Sequence, residues 1–593
     1  MSKQEFSAKR LLKLYDRVAD APDAVERLRR FVLDLAVRGK LVEQHKGDEA
    51  VGILLEQIAA RKAQMARDGL IKKPKPYVAI NNDELPIEIP QHWAWLRLRD
   101  IGGLAGGMTP SKNQPRYWDG DVVWLSPKDI KIDEATDSEL KITSKGLSET
   151  RLQLFPPGSL FMVARSGILK RTFPVAINRV PAACNQDIKV LKPYLKGQER
   201  YLQIMLRGLT DFILSSLVKT GTTVQSLKYA EFEEQPFPIP PLAEQQRIVA
   251  KVDELMTLLD RLETIRTQRE TTRNRLTTAS LSRLTAPEPT EVDFPTHARF
   301  AFDNLDQLTM QPEQINVLQQ TLLNLAVRGR LVEQDPADEP ASELLSRMAA
   351  EANSSGSGHG RESKRLRDVD IADAPFELPP GWTWAHFPEI GQFGRGKSRH
   401  RPRNDPALYT GGSHLMIQTG DVARSEGRIT TYTNKYNDVG LAQSLLWPKG
   451  TLCITIAANI ADSGILDFDA CFPDSVVGFV PDPVFKNARY FEYFVRTAKA
   501  NLLEFAPATA QKNINLEILK SVLIPLPPLA EQQRIVAKVD SLLAMCGRLQ
   551  TVKAQIDTTR SQLVQALLRD ALEMRRSSFG LVTEVSQRPV GAL

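Results

Sequence analysis

The stretch Pro240–Asp253, PPLAEQQRIVAKVD, returns letter for letter at Pro527–Asp540, an offset of 287 residues. A second pair, LAVRG-x-LVEQ, runs from Leu35 to Gln44 and from Leu325 to Gln334, an offset of 290. Weaker echoes keep that spacing: Trp93 and Trp95 match Trp382 and Trp384, Ala183-Cys184 matches Ala470-Cys471, and Asp129 recurs as Asp421. A period this long lies far above the solenoid range, so the chain reads as two copies of one domain-plus-helix module. Within each PPLAEQQ block the apolar residues then fall on a heptad seam. In the first copy it is Ile248, Val252, Leu255, Leu259 and Leu262; in the second it is Ile535, Val539, Leu542, Cys546 and Leu549, continuing through Ile556, Leu563 and Leu567. Such spacing predicts a long amphipathic helix in each copy, which must bury its seam against a partner. The expected partner is the other copy.

Upstream of each block the sequence changes character. Between the paired tryptophans and PPLAEQQ it is rich in Gly, Pro, aromatic and β-branched residues, as in Val122–Leu125 and Leu452–Ile456. Short runs of that kind, punctuated by turn residues, predict a small β-rich domain. The fold class expected is therefore α/β (α+β), with two small β-rich domains, each followed by a long helix. The helices pair as an antiparallel coiled coil in a pseudo-two-fold duplication. The boundaries expected are a helical region at 1–88, a first globular domain at 89–240, a long helix at 241–286 and a helical connector at 287–376 with a flexible linker near 353–360. A second globular domain at 377–527, a second long helix at 528–575 and a tail at 576–593 complete the chain. The run Asn353–Gly360 has linker composition, and Lys72, Lys73 and Lys75 occupy the matching place in the first copy.

Composition narrows the class of function. The 593 residues exceed one compact core, and 42% apolar with 25% charged residues is a globular balance. Cys184, Cys453, Cys471 and Cys546 form no C-x-x-C pair, which argues against zinc ribbons and disulfide scaffolds. With no apolar h-region at the N-terminus and no run of 18 apolar residues, a cytoplasmic protein without membrane segments is expected. The 77 basic and 71 acidic residues leave +6, a mild excess that permits a polyanionic partner.

Catalytic constellations are missing. Gly391–Ser398 is a literal G-x-x-x-x-G-K-S phosphate-loop string, yet Pro402 and Pro406 follow where a phosphate-binding helix must run. Asp129 or Asp133 with Glu139 and Lys141 makes only a loose nuclease-like cluster. Neither G-x-S-x-G nor H-E-x-x-H occurs, and the seven His show no metal-ligand spacing. No catalytic and no metal-ligating residue is assigned.

Nucleic-acid chemistry fits better. The loop Arg395, Lys397, Ser398, Arg399, His400, Arg401, Arg403 and Asn404 gathers guanidinium groups that fork onto guanine or pair with phosphate, and an Asn that pairs bidentately with adenine. A solvated basic loop is the competing reading. In the first copy, Thr109, Ser111 and Lys112, then Arg165, Ser166, Lys170 and Arg171, sit in comparable loops. Asn185 and Gln186 are either base readers or turn formers.

At this point the sequence resembles the DNA-specificity subunits of type I restriction–modification systems. The resemblance covers nearly the whole chain. It rests on the duplicated P-L-A-E-Q-Q-R-I-V-A-K-V-D blocks, on Thr109–Lys112 followed by Tyr117–Trp124 and Ser126–Ile130, and on Asn185–Ile188. The second copy departs from it, with Gln418–Val422 for the Ser-Pro-Lys-Asp-Ile run and Phe472–Asp474 for Asn-Gln-Asp, and the N-terminal extension is similar to that of the longer subgroup. The resemblance implies a non-catalytic specificity subunit whose two target recognition domains read the unlike halves of a bipartite target. It implies an antiparallel helical spacer between them and partners in double-stranded DNA, two modification subunits and motor-nuclease restriction subunits. S-adenosylmethionine, ATP and Mg2+ would sit on those partners, in a complex that is both an adenine-N6 DNA methyltransferase and a site-specific deoxyribonuclease. A self-contained nuclease or methyltransferase is one rival reading, and a coiled-coil scaffold without sequence-specific DNA binding is the other.

Overall fold

The computed structural model describes residues 8–19, 21–71, 78–221, 224–285, 293–309, 311–354, 374, 376–400, 402–457, 461–504 and 516–573. Lys72, Lys73, Lys75, Arg401, the linker beyond Ser354 and the tail 576–593 lie outside the described residues. The fold is mixed α/β, built of small sheets and two long helices, Leu242–Ser282 and Leu529–Glu573. Two compact units divide the chain, Met1–Gln268 with Ile556–Leu593 and Arg269–Gln555, so each long helix gives one part to each unit.

In the first unit the strands are β1 (Ala94–Arg97), β2 (Gly102–Gly106), β3 (Trp118–Leu125), β4 (Glu134–Ala135), β5 (Leu140–Ile142), β6 (Leu160–Val163), β7 (Arg165–Ser166), β8 (Val175–Asn178), β9 (Ala182–Cys184), β10 (Ile188–Pro193), β11 (Val218–Lys219), β12 (Gln225–Leu227) and β13 (Pro236–Ile239). They form a five-stranded sheet in the order β2-β10-β6-β8-β4, three-stranded sheets β5-β3-β9 and β11-β12-β7, and the pair β1-β13. β6 and β8 are buried along their whole length; β6, Leu-Phe-Met-Val, is an unbroken apolar run because both faces of the sheet are covered, and β8 ends on the buried Asn178, whose Oδ1 accepts from Ser159 N at 2.8 Å. Helices Ala8–Val18, Ala24–Val37 and Val51–Arg67 precede the sheets, and Leu28, Val32 and Leu35 belong to the same buried core.

The second unit carries β14 (Thr383–Ala385), β15 (Gly391–Arg395), β16 (His414–Met416), β17 (Gly427–Ile429), β18 (Asn434–Tyr436), β19 (Leu446–Trp447), β20 (Leu452–Thr455), β21 (Ser463–Leu466), β22 (Ala470–Cys471), β23 (Val476–Pro481) and β24 (Ile524–Leu526). Its five-stranded sheet runs β15-β23-β20-β21-β17, beside β18-β16-β22-β19 and the pair β14-β24. Helices Asp293–Asp303, Pro312–Val327 and Ala341–Ser354 come before the sheets.

The repeated motif is explained by the contacts it makes. Each long helix opens directly after a Pro-Pro pair, where a missing N–H costs nothing because the first turn has no acceptor for it. Glu244 Oε2 then accepts from Trp93 Nε1 at 3.0 Å, and in the other unit Glu531 Oε2 accepts from Trp382 Nε1 at 3.0 Å. Gln245 Nε2 donates to Pro240 O and Gln532 Nε2 to Pro527 O, both at 3.0 Å. Arg247 forks onto Asp48 at 2.9 and 2.6 Å, and Arg534 onto Asp338 at 3.4 and 2.7 Å. Asp253 pairs with Arg200, and Asp540 with Arg489. The LAVRG motif is equally literal. Gly39 at φ +62° and Gly329 at φ +66° turn the chain in the left-handed region, and a Cβ there would lie 2.4 Å from Pro90 or 2.5 Å from Pro379. The repeated polar letters and glycines thus tie the helical region, the sheets and the long helix of their own unit together.

The seam departs from its expected course. Ile248, Val252, Leu255 and Leu259 are fully buried, but in one core with the helix Ala24–Val37 and the sheets as well as with Val564 and Leu568. A lone partner rod is therefore not what covers them. Continued four heptads past Ile248, the first seam reaches Leu276, which is 46% exposed while Thr277 takes its place at 1%; in the second copy Leu563 is 51% exposed beside buried Val564. A straight helix drifts about 20° per heptad against a strict 3.5-residue repeat, so over four to five heptads the buried face moves by about one residue.

Candidate functional site

Register decides which loops meet. In the first unit Gly106, ending β2, pairs with Lys189 near the start of β10, and Val163, ending β6, pairs with Ile188. The loops after β2, after β6 and before β10 therefore gather at one end of the five-stranded sheet. The second unit repeats this, since Arg395 of β15 pairs with Val477 and Thr455 of β20 with Val476. Glycine permits the close approach. A Cβ on Gly107 would fall 1.9 Å from Cys184 O, and one on Gly396 2.3 Å from Phe472 O.

The first-unit loops are held from behind. Trp124 Nε1 donates to Met108 O at 3.1 Å and Trp118 Nε1 to Ser111 O at 3.2 Å, so Ser111 and Lys112 ride on a loop fixed by two indoles. Thr109 and Gln186 are brought together: the Thr109 hydroxyl donates to Gln186 Oε1 at 2.7 Å on the exposed side. Asn185 is only 7% exposed and its Oδ1 accepts from Asp187 N at 3.0 Å, so it forms the turn that presents Gln186. Ser166 caps a short turn by accepting from Ile168 N. Lys112, Arg165, Lys170 and Arg171 are exposed, and none of them has a side-chain partner among the described residues.

The basic loop of the second unit is less free than its composition suggests. Gln443 Oε1 accepts from the backbone N–H of Arg399 at 2.6 Å and of His400 at 3.0 Å, while Ser444 Oγ donates to Lys397 O. Arg403 Nη2 pairs with Asp474 at 2.6 Å, Arg395 Nε donates to Asp474 O, and His400 Nε2 meets Asp405 at 2.8 Å. The Ala407 N–H and the His400 imidazole hold the Asp405 carboxyl below its usual range, the backbone bond being the larger cause. Ser398 is 6% exposed and presents nothing outward. Lys397 and Arg399 point outward with no described partner, and Asn404 is exposed beside them.

The enzyme-like strings resolve into structure. Gly391–Arg395 of the phosphate-loop string is itself strand β15, and a three-residue turn at Pro406–Leu408 follows in place of a long helix. Asp129 accepts from Ser126 N and Oγ and from Glu139 N, which makes it a loop former. No cluster of His, Cys, Asp and Glu among the described residues has the geometry for a metal ion, and no described helix is long and apolar enough to cross a membrane.

One element escaped the sequence reading. The hairpin β11–β12 pairs with β7 and so adds Lys219 and Ser226 to the strand that carries Arg165. Strands of two and three residues leave too little alternation to be seen in a sequence.

The family model of the type I restriction modification DNA specificity domain matches the chain twice, at residues 90–271 and 383–557. The EcoEI specificity subunit of Escherichia coli is 28% identical over 575 residues, 92% of this chain and 94% of its own length. The EcoAI specificity subunit of the same species is 26% identical over 568 residues, again 92% and 94%. The crystal structure of the HsdS subunit from Thermoanaerobacter tengcongensis superposes with a TM-score of 0.37 at 18% identity, over 82% of this chain and 98% of that one.

Proposed function

The chain belongs to the type I restriction modification DNA specificity family, and from that premise we propose that it reads a bipartite DNA target for a type I restriction–modification complex. Residues 89–240 and 377–527 are the two target recognition domains, and their gathered loops face the two halves of the site. The observation that carries this reading is the double match of the specificity domain, one match in each unit. The loop chemistry agrees. Thr109 with Gln186 in one unit, and Lys397 with Arg399 in the other, offer unlike donor and acceptor sets to base edges, so the two half-sites differ in sequence.

The long helices, 241–286 and 528–575, pair as an antiparallel coiled coil and set the gap between half-sites in a pseudo-two-fold arrangement. Two major-groove readers on one face of a duplex sit about 34 Å apart or a multiple of it, and a 41-residue helix spans about 60 Å. Two modification subunits dock on this chain and bring S-adenosylmethionine for adenine methylation. Restriction subunits bring ATP and Mg2+, and the specificity chain itself makes and breaks no bond. Sequencing the methylome of cells that express the chain with its modification subunits tests this. One bipartite, asymmetric adenine-methylated motif is expected. Binding that disappears into competitor DNA at every salt concentration, with no motif, would instead make the chain a scaffold.

A further inference from the structure

Strand pairing builds a row of side chains that no sequence motif announces. In the sheet β11-β12-β7, Lys219 pairs across to Ser226, and Ser226 pairs across to Arg165. Their neighbours Val218 and Leu227 are buried at 8% and belong to the core of the first unit. Side chains alternate between the faces of a strand, so Lys219, Ser226 and Arg165 stand on the opposite, outer face. Lys219 and Arg165 are exposed, and neither has a partner among the described residues. The row is fixed at its roots: Leu227 N donates to Ala164 O at 2.7 Å, Arg165 N to Asp187 O at 3.1 Å, and Gln225 Nε2 to Gly221 O at 3.1 Å. Asp187 closes the turn that presents Gln186, so the row begins where the gathered loops end.

Resting on the reading of residues 89–240 as a recognition domain, we propose that this three-stranded sheet is a phosphate platform, with Lys219, Ser226 and Arg165 holding the DNA backbone beside the loops that read bases. Three strands at about 4.8 Å spacing place the outer residues about 10 Å apart, a length of duplex that carries about three phosphates on each strand. All three side chains donate, and phosphate oxygens only accept. A major groove about 12 Å wide admits a helix or a two-stranded ribbon, and the third strand with its side chains makes this sheet broader than that. The row therefore lies over the sugar–phosphate ridge and fixes register and orientation, while sequence is read by its neighbours. Arg165 is thereby assigned to phosphate and not to a base.

The test uses the full chain with its modification subunits, one duplex carrying the methylated motif and one lacking it, over about 50 to 300 mM salt. Lys219→Ala and Arg165→Ala should each reduce the slope of log K against log salt by about 0.9, and weaken binding to both duplexes about five-fold near 0.15 M salt. The double variant should lose about twice the slope, Lys219→Arg should restore it, and the methylated motif should stay unchanged. A motif relaxed at one position would make the altered residue a base reader, and an unchanged slope would make the row a solvated surface. Either result overturns the platform. Wild-type complex that methylates no defined motif would instead overturn the recognition reading on which it rests.

Discussion

Replacing Glu492 by Gln should stabilise the second unit, and by an amount that grows with pH. Glu492 lies on the helix Arg489–Glu504, is fully buried, and neither carboxyl oxygen has a hydrogen-bond partner among the described residues. Arg496 Nε is 3.8 Å away, Arg489 is engaged by Asp540, and Asp540 adds a negative charge of its own. Burial is the largest effect and outweighs both arginines and the nearby Ser463 hydroxyl, pushing the carboxyl up to about 7. The first unit has Gln203 at the corresponding place, where its Nε2 donates to Asp133 O at 2.7 Å and to Val175 O at 2.9 Å. The sign follows from linkage. In the unfolded chain Glu492 ionises near its ordinary value of 4.5, so between 4.5 and about 7 the folded state binds the extra proton and stability falls as pH rises. Above about 7 the penalty is complete and on the order of 3 kcal/mol, because a tenfold change in proton affinity corresponds to about 1.36 kcal/mol. Glu492→Gln removes it. At pH 8 hydrogen exchange of this helix should be slowed about 100-fold relative to wild type, and at pH 5 only a few-fold, with intrinsic rates cancelling at each pH. Equal effects at both pH values, or faster exchange in the variant at pH 8, would refute the argument by showing that the carboxylate is solvated or paired.

Trp382→Phe leaves the Glu531 carboxylate without its indole donor and should cost the second unit about 1–3 kcal/mol in urea unfolding. Trp93→Phe should cost less, because His92 Nε2 also holds Glu244, at 2.7 Å. Arg399→Ala should lose about 1–3 kcal/mol of specific binding and relax one position of the motif if its guanidinium holds a base edge, whereas a uniform loss with a shallower salt slope assigns it to phosphate. Inserting four residues after Gln268 adds about 6 Å of helix and should lengthen the unspecified gap with both half-sites kept, whereas two residues rotate the downstream face by about 200° and should abolish modification. Methylome sequencing reads both, and an unchanged gap at full activity would place the ruler elsewhere.

What was legible in the sequence was what repeats. The blocks at Pro240–Asp253 and Pro527–Asp540 announced two modules and two long helices, and the repeated polar letters Glu244, Gln245, Arg247 and Asp253 each have a partner within their own unit. Local heptad spacing placed Ile248 to Leu259 correctly and lost the buried face by one residue at Leu276 and Leu563, since drift accumulates with distance. At the candidate site, composition overstated the basic loop. Asp474 lies 71 residues from Arg403, and no local pattern says that it returns to pair with it. The row Lys219, Ser226 and Arg165 was hidden for the same reason, because its strands come from separate stretches of chain.

The claim that two recognition domains read separate half-sites is tested most directly by domain exchange. Residues Pro379–Pro525 would be replaced with the matching region of a relative of different specificity, leaving both long helices intact, and the methylome sequenced with the native modification subunits present. The account predicts a motif in which one half changes while the other half and the gap stay as they were. A motif altered in both halves, or in neither, would contradict it.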